Sequence, residues 1–203
     1  MVVLALVLFA AYLVIGVGVR VWVQWRRTGD TGIRSNSFGT NPAARWFVIA
    51  GFVGHLAPGV GAPVAQLLGL DPVGVLDHRP LRIAGAVLCG ASILALFGAQ
   101  LAMGDSWRIG VDAGEQTRLV VAGPFRLVRN PIYTGMTVMV VGFVLMVPNV
   151  VALVGLPILV VGFQLEVRLS EEPHLRRLHG SAYDEYAARV GRFLPHVRQL
   201  VRS

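Results

Sequence analysis

Five stretches of this sequence are apolar over a length that suits a lipid bilayer, and that recurrence leaves few folds open. They cover residues 2–19, 47–70, 83–103, 132–147 and 150–167. A spanning helix needs about 20 apolar residues. In hydrocarbon, every backbone N–H and C=O must find its partner within the protein, and apolar runs of this length do so as helices. With 55% hydrophobic and 14% charged residues the chain is too apolar for a water-soluble fold. The expectation is an all-α polytopic membrane protein with about five transmembrane helices, the last two a tight hairpin, followed by a cytoplasmic helical segment.

The runs differ in ways that bear on packing. The first has no basic region before it and no A-x-A site behind it, so it reads as a retained helix rather than a cleaved signal. The second carries Pro58, Pro63 and five glycines, which predicts a kinked or broken helix whose freed carbonyls are satisfied by neighbours. His55 within it reads as a packing residue with a hydrogen bond, less readily as a ligand or proton carrier. The third is studded with small residues from Gly85 to Ala99 that allow close helix approach, and its Gln100 calls for an interhelical hydrogen bond. Only Pro148-Asn149 separates the last two runs, which forces an antiparallel hairpin. An arm of 16 residues spans only about 24 Å, so the turn is expected below the far interface. Cys89, the single cysteine, lies inside an apolar run, so no disulfide framework or thiolate metal cluster is expected. The whole chain reads as one membrane domain: three helices in 1–103, a loop, hairpin and C-terminal helices in 104–195, and a tail in 196–203.

All 18 basic residues are arginine, and against 11 acidic residues they leave a net charge of +7. Spread over loops with no nucleic-acid motif, they fit loop orientation and anionic lipid headgroups, not nucleic acid. The loop after the first run holds Arg26, Arg27, Arg34 and Arg45 against Asp30, whereas 71–82 holds two residues of each sign. The more basic loop belongs in the cytoplasm. Alternation then places the N-terminus outside, and puts 104–131 and everything after Glu166 inside.

Two polar stretches therefore share the cytoplasmic face. The first, Gly123-Pro124-Phe125-Arg126-Leu127-Val128-Arg129-Asn130-Pro131-Ile132-Tyr133-Thr134-Gly135, is a proline-shaped loop running into a helix start. The second begins Arg168-Leu169-Ser170-Glu171-Glu172-Pro173-His174-Leu175 and turns amphipathic through Tyr183, Tyr186 and Val190, as one or two helices at the bundle mouth. Adjacent helical carboxylates do not share a face, so at least one of Glu171 and Glu172 should point inward, with Arg168 three residues before Glu171 as its partner. Gly16-Val17-Gly18 and Gly59-Val60-Gly61 lie within apolar runs and read as packing glycines, not a dinucleotide fingerprint.

Together the two stretches resemble the isoprenylcysteine carboxyl methyltransferase and phospholipid methyltransferase families. Their pattern runs G-P-Y/F-x-x-x-R-H-P-x-Y-x-G, a helical hairpin, then R-x-x-E-E-x-x-L-x-x-x-x-G-x-x-Y-x-x-Y. The likeness covers about residues 98–195. The resemblance implies S-adenosyl-L-methionine as cofactor, lined by Arg129, Asn130, Pro131, Tyr133, Gly135, Glu171 and Glu172, with Gly104 added from the Met103–Trp107 turn. It implies methyl transfer to a lipophilic or membrane-embedded acceptor, with Arg168 or Arg129 holding an acceptor's negative charge. Membrane lipids are the other expected partners, with no obligate protein partner, and the setting is a bacterial plasma membrane. Asn130 replaces the family's histidine and cannot titrate, which removes proton transfer there but leaves positioning intact. A sterol-reductase-like NADPH enzyme, whose family carries a similar R-H-P-x-Y stretch, and a small transporter or assembly protein are the competing readings.

Overall fold

The computed structural model describes residues 1–33, 42–109 and 118–196. Arg34 and the tail beyond His196, which enter the charge and tail expectations above, lie outside the described residues. Among the described residues the chain is helical, with two isolated bridges, Ile33 to Ile109 and Val128 to Gly191, as its only extended pairings. Helices α1 (Val2–Thr28), α2 (Arg45–Leu67), α3 (Arg79–Ala102) and α5 (Val150–His179) are long and apolar enough to cross a membrane. The fifth run forms α4 (Pro131–Met146), apolar but shorter. A last short helix, α6 (Ser181–Arg189), follows the left-handed turn at Gly180.

The prolines of the second run do not break it. α2 instead widens to π geometry over Ala57–Gly61, the amide of Ala62 reaching back to the carbonyl of Ala57. A proline ring presses on the carbonyl four residues before it and donates no hydrogen bond, and a wider turn relieves both problems without ending the helix. α5 repeats the device over Val167–Glu171, immediately ahead of Pro173. In α1 a π stretch over Leu13–Val19 leaves the Gly16 carbonyl open to a neighbour, and Gln100 Nε2 donates to it at 2.9 Å. The polar group expected on α3 thus has its interhelical bond.

α3 packs against α4, and α2 against α5. The first pair is close because both helices lack a side chain at the crossing: a Cβ on Gly85 would lie 2.6 Å from the Gly142 carbonyl oxygen. Phe9 and Tyr12 of α1, Leu96 of α3, and Met139 and Phe143 of α4 form the central core. His55 is buried against the Phe9 and Tyr12 rings, and among the described residues neither of its ring nitrogens has a hydrogen-bond partner. The hydrogen bond expected for it is absent, and it serves as a packing residue.

The hairpin turn is buried within the protein. Asn149, 0% exposed, caps α5 by accepting from the Ala152 amide and donates through Nδ2 to the Ala62 carbonyl at 2.8 Å. Val73 covers the turn, its amide donating to the Pro148 carbonyl. At the opposite end of the bundle the 123–131 loop, the π turn of α5 and α6 come together.

Candidate active site

Glu172 is the centre of that end, and its burial follows from what surrounds it. The residue is 3% exposed, and both carboxylate oxygens are taken by guanidinium groups. Arg192 binds it bidentately, Nε to Oε1 at 2.7 Å and Nη2 to Oε2 at 2.8 Å. Arg129 Nη2 donates to the same Oε1 at 2.8 Å. A carboxylate this deep is tolerated only when paired and fully hydrogen-bonded, and two planar donors satisfy both conditions.

Arg129 also closes α6. Its Nη1 donates to the carbonyls of Ala187 at 2.7 Å and Val190 at 3.2 Å, groups left open where the helix ends. A cation belongs at that end of the helix dipole. Beside it the backbone of 128–130 runs parallel to 191–192: the Arg129 amide donates to the Gly191 carbonyl and the Asn130 amide to that of Arg192. Asn130 Nδ2 adds a bond to the Arg192 carbonyl, and Thr134 Oγ1 one to that of Phe193. Asn130 thus orders the loop as a donor, the role its chemistry leaves it. Tyr186, whose phenol burial pushes up to about 12, stays a donor and binds the Phe125 carbonyl at 2.7 Å. The hydrogen bond to Glu172 raises the Arg192 guanidinium above its already high ordinary value.

Glu171 faces elsewhere, as neighbours on a helix must. It accepts a short hydrogen bond from Tyr133 Oη, and the Tyr133 ring packs on Phe163, centroids 4.6 Å apart. Glu166 lies one helical turn beyond Phe163, is 8% exposed, and has its Oε2 buried without a partner. Among the described residues neither Glu166 nor Glu171 has a basic side chain within ion-pair distance. An aromatic pair rimmed by two uncompensated carboxylates sits beside a third carboxylate that is doubly compensated.

The structure therefore joins Arg129 to Glu172 and Tyr133 to Glu171, with Asn130 bonded to the Arg192 carbonyl beside them and Pro131 opening α4 between. Three expected residues lie apart from that contact. Gly135 turns toward Leu96 of α3, and the Gly104 carbonyl is held by Arg20 Nη2 at 2.8 Å. Arg168 is exposed and does not pair with Glu171. That expected pair assumed α-helical spacing, and the π turn over Val167–Glu171 rotates the two side chains out of register. Sequence reasoning gave no site role to Arg192, Glu166 or Phe163. Arg192 carried a signal, standing in the amphipathic stretch as a conspicuous arginine beyond the last helix. Arg20, stacked 4.3 Å from the Trp107 ring centroid, and Gln24, donating to the Asp105 carbonyl, anchor the 104–107 turn to α1 and were likewise unforeseen.

Comparison with known proteins bears on the family and the fold. A family model described as phospholipid methyltransferase matches residues 81–182. Protein-S-isoprenylcysteine O-methyltransferase B of Arabidopsis thaliana is 32% identical over 83 residues, 41% of this chain and 42% of that protein. A probable protein-S-isoprenylcysteine O-methyltransferase of Oryza sativa subsp. indica is 32% identical over 83 residues, 41% of this chain and 44% of that one. The match thus spans less than half the length of these relatives. Among solved structures, the eukaryotic intramembrane Ras methyltransferase, an isoprenylcysteine carboxyl methyltransferase, superposes with a TM-score of 0.58 at 17% identity, over 96% of this chain and 68% of that one. That likeness concerns the fold. With half of its length, residues 81–182, covered by one family model that runs from α3 through the first motif stretch and the hairpin into the second stretch, the chain belongs to the phospholipid methyltransferase family of integral membrane proteins.

Proposed function

We propose that the protein transfers a methyl group from S-adenosyl-L-methionine to a lipophilic acceptor at the cytoplasmic mouth of the bundle. The observation that carries this reading is the side-chain bridge between the two motif stretches, Arg129 to Glu172 and Tyr133 to Glu171. The residues present fit the cofactor. It carries positive charge on sulfur and on its amino group, and Glu171 and Glu166 are carboxylates with no cation of their own. The Tyr133 and Phe163 rings offer aromatic surface for an adenine or a sulfonium.

When bound, the cofactor supplies an electrophilic methyl on a positively charged sulfur. The rest is arrangement. Methyl transfer to a carboxylate needs alignment and a dry site more than proton transfer, and Asn130 in place of a histidine is compatible with that. Arg129, with its partners fixed, acts by positioning the loop against α6. Arg168, exposed on the π turn, is the residue placed to meet an anionic acceptor or lipid headgroup at the interface. An acceptor with a long apolar portion reaches this end of the helices sideways from the bilayer.

Cofactor identity is tested by thermal unfolding of the purified protein in detergent. S-adenosylhomocysteine should raise the midpoint in a concentration-dependent way, since a ligand that binds only the folded state stabilises it by mass action. NADPH should not. Stabilisation by NADPH alone would replace this reading with the reductase.

Orientation is part of the proposal, because the loop charges that set it place both stretches in the cytoplasm. Cysteines introduced at Asp71 and His196, both exposed, should label from opposite sides in intact cells, Asp71→Cys from the cytoplasmic-distal side dictated by alternation and His196→Cys only after permeabilisation. Native Cys89 is buried and does not compete. Labelling of His196→Cys in intact cells would reverse the topology and separate the site from the cytoplasm.

A further inference from the structure

Helical periodicity normally sets residues five apart on opposite sides of a helix, about 140° around the axis. Glu166 and Glu171 would then be strangers. The π turn over Val167–Glu171 lengthens the loop of backbone between them, closing amide to carbonyl five residues back, as Glu172 does to Val167. Glu171 is thereby carried round toward the side of α5 that bears Glu166, near enough for its charge to act on that carboxylate. Phe163, three residues before Glu166, lies on that same side and packs against Tyr133, which in turn donates to Glu171.

Glu166 is also the member of this group with something missing. Over nine-tenths of it is buried, its Oε2 has no donor, and among the described residues no arginine reaches it. The other two glutamates of this group are provided for: Glu172 by two guanidinium groups and Glu171 by the Tyr133 hydroxyl. An unpartnered carboxylate held beside a second one, against aromatic rings, is a place for positive charge that does not come from this chain.

We propose that Glu166 is a recognition residue for the sulfonium of the cofactor, while Glu171 takes groups that the cofactor keeps after its methyl has left. The proposal rests on the S-adenosylmethionine reading and adds to it a site for the charge that distinguishes substrate cofactor from spent cofactor. Such a site favours release of the neutral product sulfur and its replacement by the charged form.

The experiment compares two ligands that differ at that sulfur. Calorimetric titration of the full-length protein in lipid nanodiscs with S-adenosylmethionine and with S-adenosylhomocysteine is made on the wild type, Glu166→Gln and Glu166→Ala. Both variants should lose about tenfold or more in affinity for S-adenosylmethionine, as expected when an opposite charge is removed from a poorly solvated contact, and keep that for S-adenosylhomocysteine. Retained binding of the second ligand also shows that the variants are folded. Equal losses for both ligands, no loss for either, or variants that fold but bind neither would each overturn the assignment. A wild type that binds neither ligand would instead remove the methyltransferase reading, and this inference with it.

Discussion

Glu172→Ala is expected to loosen the whole segment beyond α5 and to destabilise the protein by about 3–5 kcal/mol, the usual consequence of stripping one partner from a buried ion pair. The effect is large because one carboxylate serves two arginines from different parts of the chain. Arg129 belongs to the loop before α4 and Arg192 to the strand-like return after α6, and Glu172 is what both grip. Arg129 is the more enclosed of the two, with a side chain 10% exposed against 26% for Arg192, so most of the loss comes from stranding Arg129. The Ala187 and Val190 carbonyls stay bonded only while Arg129 remains in place, so α6 should fray from its C-terminal end. Thermal unfolding in detergent, followed by tryptophan fluorescence, gives the loss. Trypsin, given the arginines at 176, 177, 189 and 192, reports whether the segment has come away. Arg129→Ala should show the same phenotype, and the double variant should lose clearly less than the two single losses together. A Glu172→Ala protein with wild-type melting and protease resistance would mean that the triad is a surface contact of little consequence.

The parts of the fold that hydropathy controls were legible in the sequence, because the bilayer leaves few choices. The five apolar runs became five helices, Pro148-Asn149 became a hairpin turn, and Gln100 found a carbonyl on another helix. The π turns were not legible. A proline announces that a helix must change, but whether it breaks, kinks or widens depends on what the neighbouring helices will accept, and that is information from packing.

The candidate site was legible to the extent that it is written in two contiguous stretches. Both came to one end of the bundle, and Arg129, Tyr133, Glu171 and Glu172 met there. What failed was the assumption of an unbroken 3.6-residue period from Glu166 to Glu172. That assumption paired Arg168 with Glu171, and the wider turn at Val167–Glu171 undoes the pairing. Arg192 escaped for a different reason. Its contact with Glu172 requires the chain after α6 to double back beside residues 128–130, and a bridge of two or three residues leaves no periodic pattern to read.

Glu171→Gln should give the opposite signature to its neighbour: unchanged or slightly higher stability, and a loss of cofactor binding of about ten- to a hundredfold, or about 1.4–2.7 kcal/mol. Stability holds because glutamine still offers a carbonyl oxygen to the Tyr133 hydroxyl, and because removing this charge ends its repulsion with Glu166 and Glu172. Binding falls because the carboxylate has no basic partner within the chain, so its charge is available to a ligand in a way that the charge of Glu172 is not. The loss should be similar for S-adenosylmethionine and S-adenosylhomocysteine, which distinguishes Glu171 from Glu166. Tyr133→Phe provides the complement. It takes away the donor and leaves the carboxylate in place, which should destabilise the protein by about 1–3 kcal/mol, the desolvation left uncompensated. Combining Tyr133→Phe with Glu171→Gln should recover part of that loss, since the acceptor left unmatched is then neutral. Calorimetry for binding and thermal unfolding for stability, made on the same preparations, separate the two roles. A Glu171→Gln protein that melts early and binds as the wild type would place Glu171 beside Glu172 in holding the fold, and would leave the site without its common anchor for the two ligands.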